Sequence, residues 1–115
     1  MIDKALSMLG LARRAGRLSL GFDASVGSGM KGESRLILVA ADISPKSEKE
    51  LRYALRDKRI EIIKCDYTED DFGGAVGKRV RIISVNDAGF AAQVRKLLPS
   101  NLSIIRDNPE VLGGK

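Results

Sequence analysis

The chain contains no histidine, no tryptophan and a single cysteine, Cys65. Without histidine, triads that activate a nucleophile through an imidazole are excluded, as are histidine metal sites. One cysteine permits neither an intramolecular disulfide nor a cysteine-built zinc site. Aromatic side chains are scarce, two Tyr and three Phe in 115 residues, which is thin material for the stacking platforms that grip single-stranded nucleic acid. No apolar run approaches the ~18 residues of a membrane span. Met1-Ile2-Asp3-Lys4 also lacks the basic region and unbroken apolar stretch of a signal peptide. The expectation is a cytoplasmic protein with no membrane partner.

What is present fits one globular domain. A chain of 115 residues is one domain long and can bury a core unaided, and 43% hydrophobic content argues against disorder. The charge is basic, 20 Lys+Arg against 15 Asp+Glu for a net +5. Residues 1–35 and 79–115 each carry six basic and three acidic residues, so the excess lies at the two ends of the chain. Its clusters are Arg13-Arg14-Ala15-Gly16-Arg17, Lys31-Gly32 with Arg35, and Lys78-Arg79-Val80-Arg81. Gathered by the fold, they would make one positive face for an anionic partner; scattered, each is a solvated charged surface.

Ile2, Ala5, Leu6, Leu9 and Ala12 recur at helical spacing, which predicts a helix over about 3–13. Leu18-Ser19-Leu20 alternates like a short strand. Phe22, Val26 and Met30 mark a weak helix, weakened because Gly27 and Gly29 each cost roughly 1 kcal/mol in a helix interior. Leu36–Ala40 is an apolar run of strand length, of the kind covered on both faces. Ser44-Pro45 opens a helix with Ser44 as cap, and Ile60–Cys65 is the next strand. Thr68-Glu69-Asp70-Asp71 resembles a capping box and starts a helix that Gly77 ends. Val80–Val85 is another strand; Asn86 or Asp87 caps a last helix, stopped at Pro99. Such alternation means a layered α/β fold. The domain is expected over 1–99. The tail, 100–115, is expected to be less regular and docked through Leu102, Ile104 and Ile105.

Several motifs read more plainly as structure. Gly27-Ser28-Gly29-Met30-Lys31-Gly32 matches the dinucleotide pattern letter for letter, yet the strand Leu36–Ala40 follows it where a helix is needed. It is better explained as a helix end loosened by glycine. Asp42 and Asp66 follow strands, and with Asp70 or Asp71 would suit a magnesium ion; as structure they end strands and favour a helix N-terminus. Cys65 reads as a small core hydrophobe, and Ser44 as a cap, since no histidine exists to activate it. No catalytic residue, cofactor or metal is expected. Basic residues beside glycines remain, at Arg13–Arg17, Leu20-Gly21 and Gly77-Lys78-Arg79. Glycine admits backbone amides to a phosphate while Arg and Lys supply charge. With so few aromatics, structured RNA fits better than splayed single strands.

At these residues a resemblance enters. Leu9-Gly10-Leu11-Ala12-Arg13-Arg14-Ala15-Gly16-Arg17-Leu18 with Gly21 is similar to the start of the bacterial YlxQ proteins. Gly73-Gly74-Ala75-Val76-Gly77-Lys78-Arg79 and Val85-Asn86-Asp87-Ala88-Gly89-Phe90-Ala91 resemble their C-terminal half. The similarity runs over roughly residues 2–98. These proteins are relatives of the L-seven-Ae ribosomal proteins that bind kink-turn RNA. The resemblance implies a ribosomal L-thirty-e-like fold, a three-layer α/β/α sandwich around a mixed, mostly four-stranded sheet. It also implies RNA binding without catalysis, and association with the ribosome. In archaeal members a glycine before the second helix, an Asn-Glu pair and a Lys one turn later grip the RNA. Here those positions hold Gly21, Asp23, Ala24 and Gly27, so only the glycine is kept. The basic position at the end of that helix is Lys31, and the loop over the kink corresponds to Gly77–Arg81.

The expectation is a non-catalytic protein that binds structured RNA. Its face would comprise Arg13, Arg14, Arg17, Gly21, Phe22, Asp23, Lys31, Lys78, Arg79 and Arg81. Arg and Lys would meet phosphates, and Phe22 a sugar or base unless the core claims it. The alternative is a protein–protein adaptor on the same fold, its RNA grip degenerate.

Overall fold

A computed structural model describes residues 3–99 and 102–106. Helix α1 (Lys4–Arg14) begins where the Asp3 carboxylate accepts from the Leu6 N–H, and buries Ala5, Leu9 and Ala12. Strand β1 (Leu18–Leu20) turns at Gly21 into α2 (Phe22–Met30). β2 (Leu36–Val39) is buried along its whole length, as its apolar run predicts. α3 (Pro45–Ala54) starts at Ser44, whose hydroxyl accepts from the Ser47 N–H, with Pro45 where a helix needs no donor. β3 (Ile62–Lys64) precedes α4 (Glu69–Val76). There Thr68 and Asp71 form the expected capping box with Asp in place of Glu, and Gly77 closes the helix at φ +82°. After β4 (Ile82–Val85), Asp87 rather than Asn86 caps α5 (Ala88–Leu97).

The sheet order is β1-β4-β2-β3-β5. β2 and β3 run parallel and the other pairs antiparallel, so the sheet is mixed. Strand alternation divides the core. Leu36, Leu38, Ile63, Ile83 and Val85 face α1, α4 and α5, packing on Leu9, Phe72 and Val94. Ile37, Val39, Ile62 and Ile82 face α2 and α3, packing on Val26, Leu51 and Leu55. Two helical layers on one sheet make the α/β/α sandwich that the resemblance implies.

The sheet has five strands rather than mostly four. The fifth, β5 (Ser103–Arg106), comes from the segment expected as an irregular docked tail, and pairs with β3 across an irregularity at Ile62/Ile63. Leu102 and Ile105 pack on opposite core clusters, which anchors it. The tail from residue 107 onward lies outside the described residues.

The weak helix forms despite its glycines, and packing explains why. A Cβ on Gly29 would stand 2.7 Å from Leu55 Cδ2, so the missing side chain lets α2 settle on Leu55 and Ile60. The C-terminus closes in a Schellman arrangement: Gly32 at φ +80°, with Glu33 N–H bonded to Ser28 O at 2.9 Å. The Gly27–Gly32 run therefore lies in a helix and its terminal cap, and β2 follows it.

Candidate nucleic-acid interface

Three helices, α2, α3 and α4, begin at one edge of the sheet, where β1, β2 and β3 end and β4 starts. Gly21 sits there at φ +93°, ψ 173°, a conformation L side chains rarely adopt, and its N–H donates to Ile82 O at 2.8 Å. The neighbouring helix starts are closed. Ser44 caps α3, while Thr68 and Asp42 accept from the Asp71 and Glu69 N–H groups of α4. Gly21 brings no side chain to accept from the first turn of α2, so the N–H groups of residues 22–24 face the edge without a side-chain cap. Beside them is a cavity of about 170 Å³ whose lining includes Phe22, Ser44, Ser47, Glu69 and Arg81. Phe22 is half-buried against the α2–α3 side of the core. Asp23, in the first turn of α2, is exposed.

The segment just before β4, Arg79 to Arg81, borders this edge, and both of its cations are already partnered. Arg79 pairs with Asp70 and, at 3.2 Å, with Glu69. Arg81 lies 3.6 Å from Glu69 and 3.8 Å from Asp42. Both guanidinium groups are well exposed, at 65% and 47% of the side chain. Pairs so wet contribute about 0–1 kcal/mol, so a phosphate can compete for them. Asp42 entered the sequence reading as a strand end or a magnesium ligand, and Glu69 as part of a cap. Nothing in their spacing reveals that they meet Arg81.

The other candidate residues stand elsewhere. Arg17 precedes β1 and Gly21 follows it, so the two lie at opposite ends of that strand, roughly 13 Å apart. Lys31 caps the C-terminus of α2, the far end from Gly21. Arg13 donates from Nε to Val76 O at 3.3 Å, tying the C-terminal turn of α1 to the end of α4, from which Lys78 is two residues away. Arg14 lines a cavity of about 470 Å³ between α1 and α4. The fold thus assembles Gly21, Phe22, Asp23, Arg79 and Arg81 at one edge. Arg13, Arg14, Arg17, Lys31 and Lys78 are left outside it.

Beneath α2 lies a hydroxyl and amide network that the sequence reading missed. Asn86 Oδ1 accepts from Ser84 Oγ at 2.6 Å, and its Nδ2 donates to Ser19 Oγ at 2.9 Å and Ser28 Oγ at 3.4 Å. Ser84 also bonds Ser34 at 2.7 Å, and Ser19 bonds Ser28 at 2.5 Å. These contacts fix α2 on β1 and β4. The signal was small hydroxyls in otherwise apolar strands, Leu-Ser-Leu and Ile-Ile-Ser-Val. On the opposite face, Tyr67 donates to Asp3 at 2.8 Å; burial foremost, then that carboxylate, holds its hydroxyl well above the usual tyrosine range. Cys65 is buried as expected. Burial, with a smaller effect of the Asp66 charge, pushes its thiol up to about 12.

The chain has relatives among known proteins. It is 24% identical over 96 residues to an RNA-binding protein YlxQ of Enterococcus faecium, covering 84% of this chain and 92% of that one. It is 32% identical over 83 residues to the large ribosomal subunit protein eL30 of Candida glabrata, covering 70% and 79%. Among solved structures, a Bacillus halodurans protein of unknown function superimposes with a TM-score of 0.75 at 32% identity, over 84% of this chain and 97% of that one. A 15.5 kDa RNA-binding protein of Giardia lamblia shares the fold, with a TM-score of 0.67 at 17% identity over 80% and 79%. A sequence profile of the ribosomal protein L7Ae/L30e/S12e/Gadd45 family matches residues 3–94, most of the described fold, and the chain belongs to that family.

Proposed function

We propose that this protein is a non-catalytic binder of structured RNA and that the Gly21 edge is where it grips. The observation carrying this reading is the uncapped first turn of α2 beside Arg81, with Arg79 held on the same Glu69. Backbone N–H groups at a helix start accept a phosphate, and a guanidinium adds charge and two parallel donors. The family resemblance and the names of the relatives from Enterococcus and Giardia support the same reading. Asp23, Ala24 and Gly27 occupy positions where archaeal relatives place base-reading residues. The grip proposed here is therefore on the RNA backbone, with little base selection. Ribosome association and a cytoplasmic location belong to the same proposal.

A protein–protein adaptor is the competing reading, favoured by Ala24 and Gly27 and by the ion pairs that occupy Arg79 and Arg81. Salt separates the two. If Arg79 and Arg81 neutralise two phosphates, log K for structured RNA falls with log salt at a slope of about −2. An affinity indifferent to salt, or none at low salt, sinks the RNA reading.

A further inference from the structure

The two arginines of the Gly21 edge converge on one carboxylate. Glu69 Oε1 accepts from Arg79 Nη2 at 3.2 Å and lies 3.6 Å from Arg81 Nη2. Asp70 holds the other nitrogen of the Arg79 fork, and Asp42 lies 3.8 Å from Arg81 Nε. The side chains form an alternating row, Asp70, Arg79, Glu69, Arg81, Asp42, with three negative charges against two positive. The backbone prepares this row. A Cβ on Gly73, one turn beyond Glu69 on α4, would stand 3.0 Å from Arg79 Cγ, so the missing side chain lets the arginine stem lie across the helix. Asp42 accepts from the Glu69 N–H at 3.1 Å and fixes the first residue of α4 beside Arg81. Glu69, at the centre, is the least exposed of the five side chains, at 24%.

Helix electrostatics accounts for part of this. Acidic side chains favour a helix N-terminus, and Glu69, Asp70 and Asp71 fill the first turn of α4. That effect needs no arginine, and the Thr68–Asp71 box and Asp42 already close the helix start. Among the described residues, the Glu69 carboxylate accepts from no backbone N–H; its partners are the two guanidinium groups. Glu69 also lines the cavity beside the first turn of α2, together with Arg81. A carboxylate and a phosphate present a guanidinium fork with the same kind of anionic oxygen acceptors.

We propose that the Glu69 carboxylate holds the place of an RNA phosphate between Arg79 and Arg81, so that RNA binds here by exchanging phosphate for carboxylate. Glu69 is then the residue that sets affinity at this edge, a role that rests on the RNA-binding reading. Until the exchange occurs the row is net negative and repels a polyanion; the exchange frees both guanidinium groups for the RNA backbone.

The test uses the full chain and a plain RNA duplex as probe, with affinity read by fluorescence anisotropy and folding verified by circular dichroism. Glu69→Gln keeps the shape of the side chain and releases both arginines, whereas Asp70→Asn releases Arg79 from one partner only. Glu61→Gln is the matched control. It removes the same charge and releases Arg95, held at 2.7 and 2.9 Å, but Glu61 precedes β3 while the Gly21 edge is where β3 ends. An exposed ion pair is worth up to about a fivefold factor, so Glu69→Gln should bind the duplex roughly three- to tenfold tighter than wild type at low salt. Asp70→Asn should gain less, and Glu61→Gln should stay within about twofold of wild type. The gain should shrink as salt is raised, because salt screens exposed pairs. In a protein carrying Arg79→Gln and Arg81→Gln, which should bind weakly, Glu69→Gln should add nothing. Unchanged or weaker binding by folded Glu69→Gln overturns the proposal and leaves the Gly21 edge standing, provided that removal of both arginines weakens binding. An equal gain from Glu61→Gln reduces the effect to net charge and also overturns it. Binding indifferent to removal of both arginines overturns the Gly21 reading itself, and no RNA bound by wild type overturns both.

Discussion

Gly21 and Gly27 belong to the same helix segment, and both have open space where a Cβ would stand. Alanine should nevertheless act in opposite directions at the two positions. Gly21 is held at φ +93° and ψ 173°, and its N–H is committed to Ile82 O, so the peptide cannot rotate without losing a bond. Backbone in that region costs a non-glycine residue about 1–3 kcal/mol. Gly27 is helical, and alanine there removes chain freedom from the unfolded state, a gain of about 0.5–1 kcal/mol. For a chain of this length a kcal/mol is worth about 4 °C in Tm. Gly21→Ala should melt roughly 4–12 °C lower and Gly27→Ala roughly 2–4 °C higher. Thermal unfolding followed by circular dichroism measures both. A Gly21→Ala protein as stable as wild type would refute the torsional argument. A destabilised Gly27→Ala would show that α2 uses its glycine for something other than flexibility.

Other outcomes follow from the same structure. Asn86→Ala removes three hydrogen bonds beneath α2, each worth about 1 kcal/mol net. Urea unfolding should show a loss of about 2–3 kcal/mol, and a loss under about 0.5 kcal/mol would contradict the role of the network. The Cys65 thiol, raised from 9.0 to about 12, should react with an alkylating reagent at pH 8 about a thousandfold more slowly than in the unfolded chain. Because its folded value lies above its unfolded value and its neutral form is the one folding favours, that contribution to stability falls as pH rises from about 9 towards 12. Parity of the two alkylation rates would mean that the β3–α4 region opens readily. Introducing Asp23→Asn, Ala24→Glu and Gly27→Lys together should raise the preference for a kink-turn over a plain duplex at least tenfold, taking about 1–3 kcal/mol per polar base contact as the scale. Equal discrimination by wild type in competition binding would refute this placement of the grip.

Local signals made most of the fold legible. Ser44-Pro45, the Thr68–Asp71 box and Gly77 each mark a helix boundary through chemistry confined to four residues, and each is where expected. Apolar runs located the strands because strands covered on both faces have no polar alternation. Two things stayed hidden. β5 depends on pairing with β3, forty residues away, and a short Ser-Ile-Ile-Arg segment carries little intrinsic preference. The division of the basic residues between two ends of the sheet depends on strand order, which sequence spacing does not encode. One continuous face was a fair expectation for Arg17 and Arg81, yet β1 and β4 run antiparallel and place them at opposite ends. The ion pairs of Arg79 and Arg81 with Glu69 were invisible for the same reason.

The central claim is that RNA meets the protein at the start of α2. Titrating structured RNA into isotope-labelled protein and following the backbone amides by NMR tests it directly. Phe22, Asp23, Ala24 and the segment from Arg79 to Arg81 should shift early and together, and the shifts should fade as salt is raised. RNA binding that leaves those amides unmoved would contradict the account.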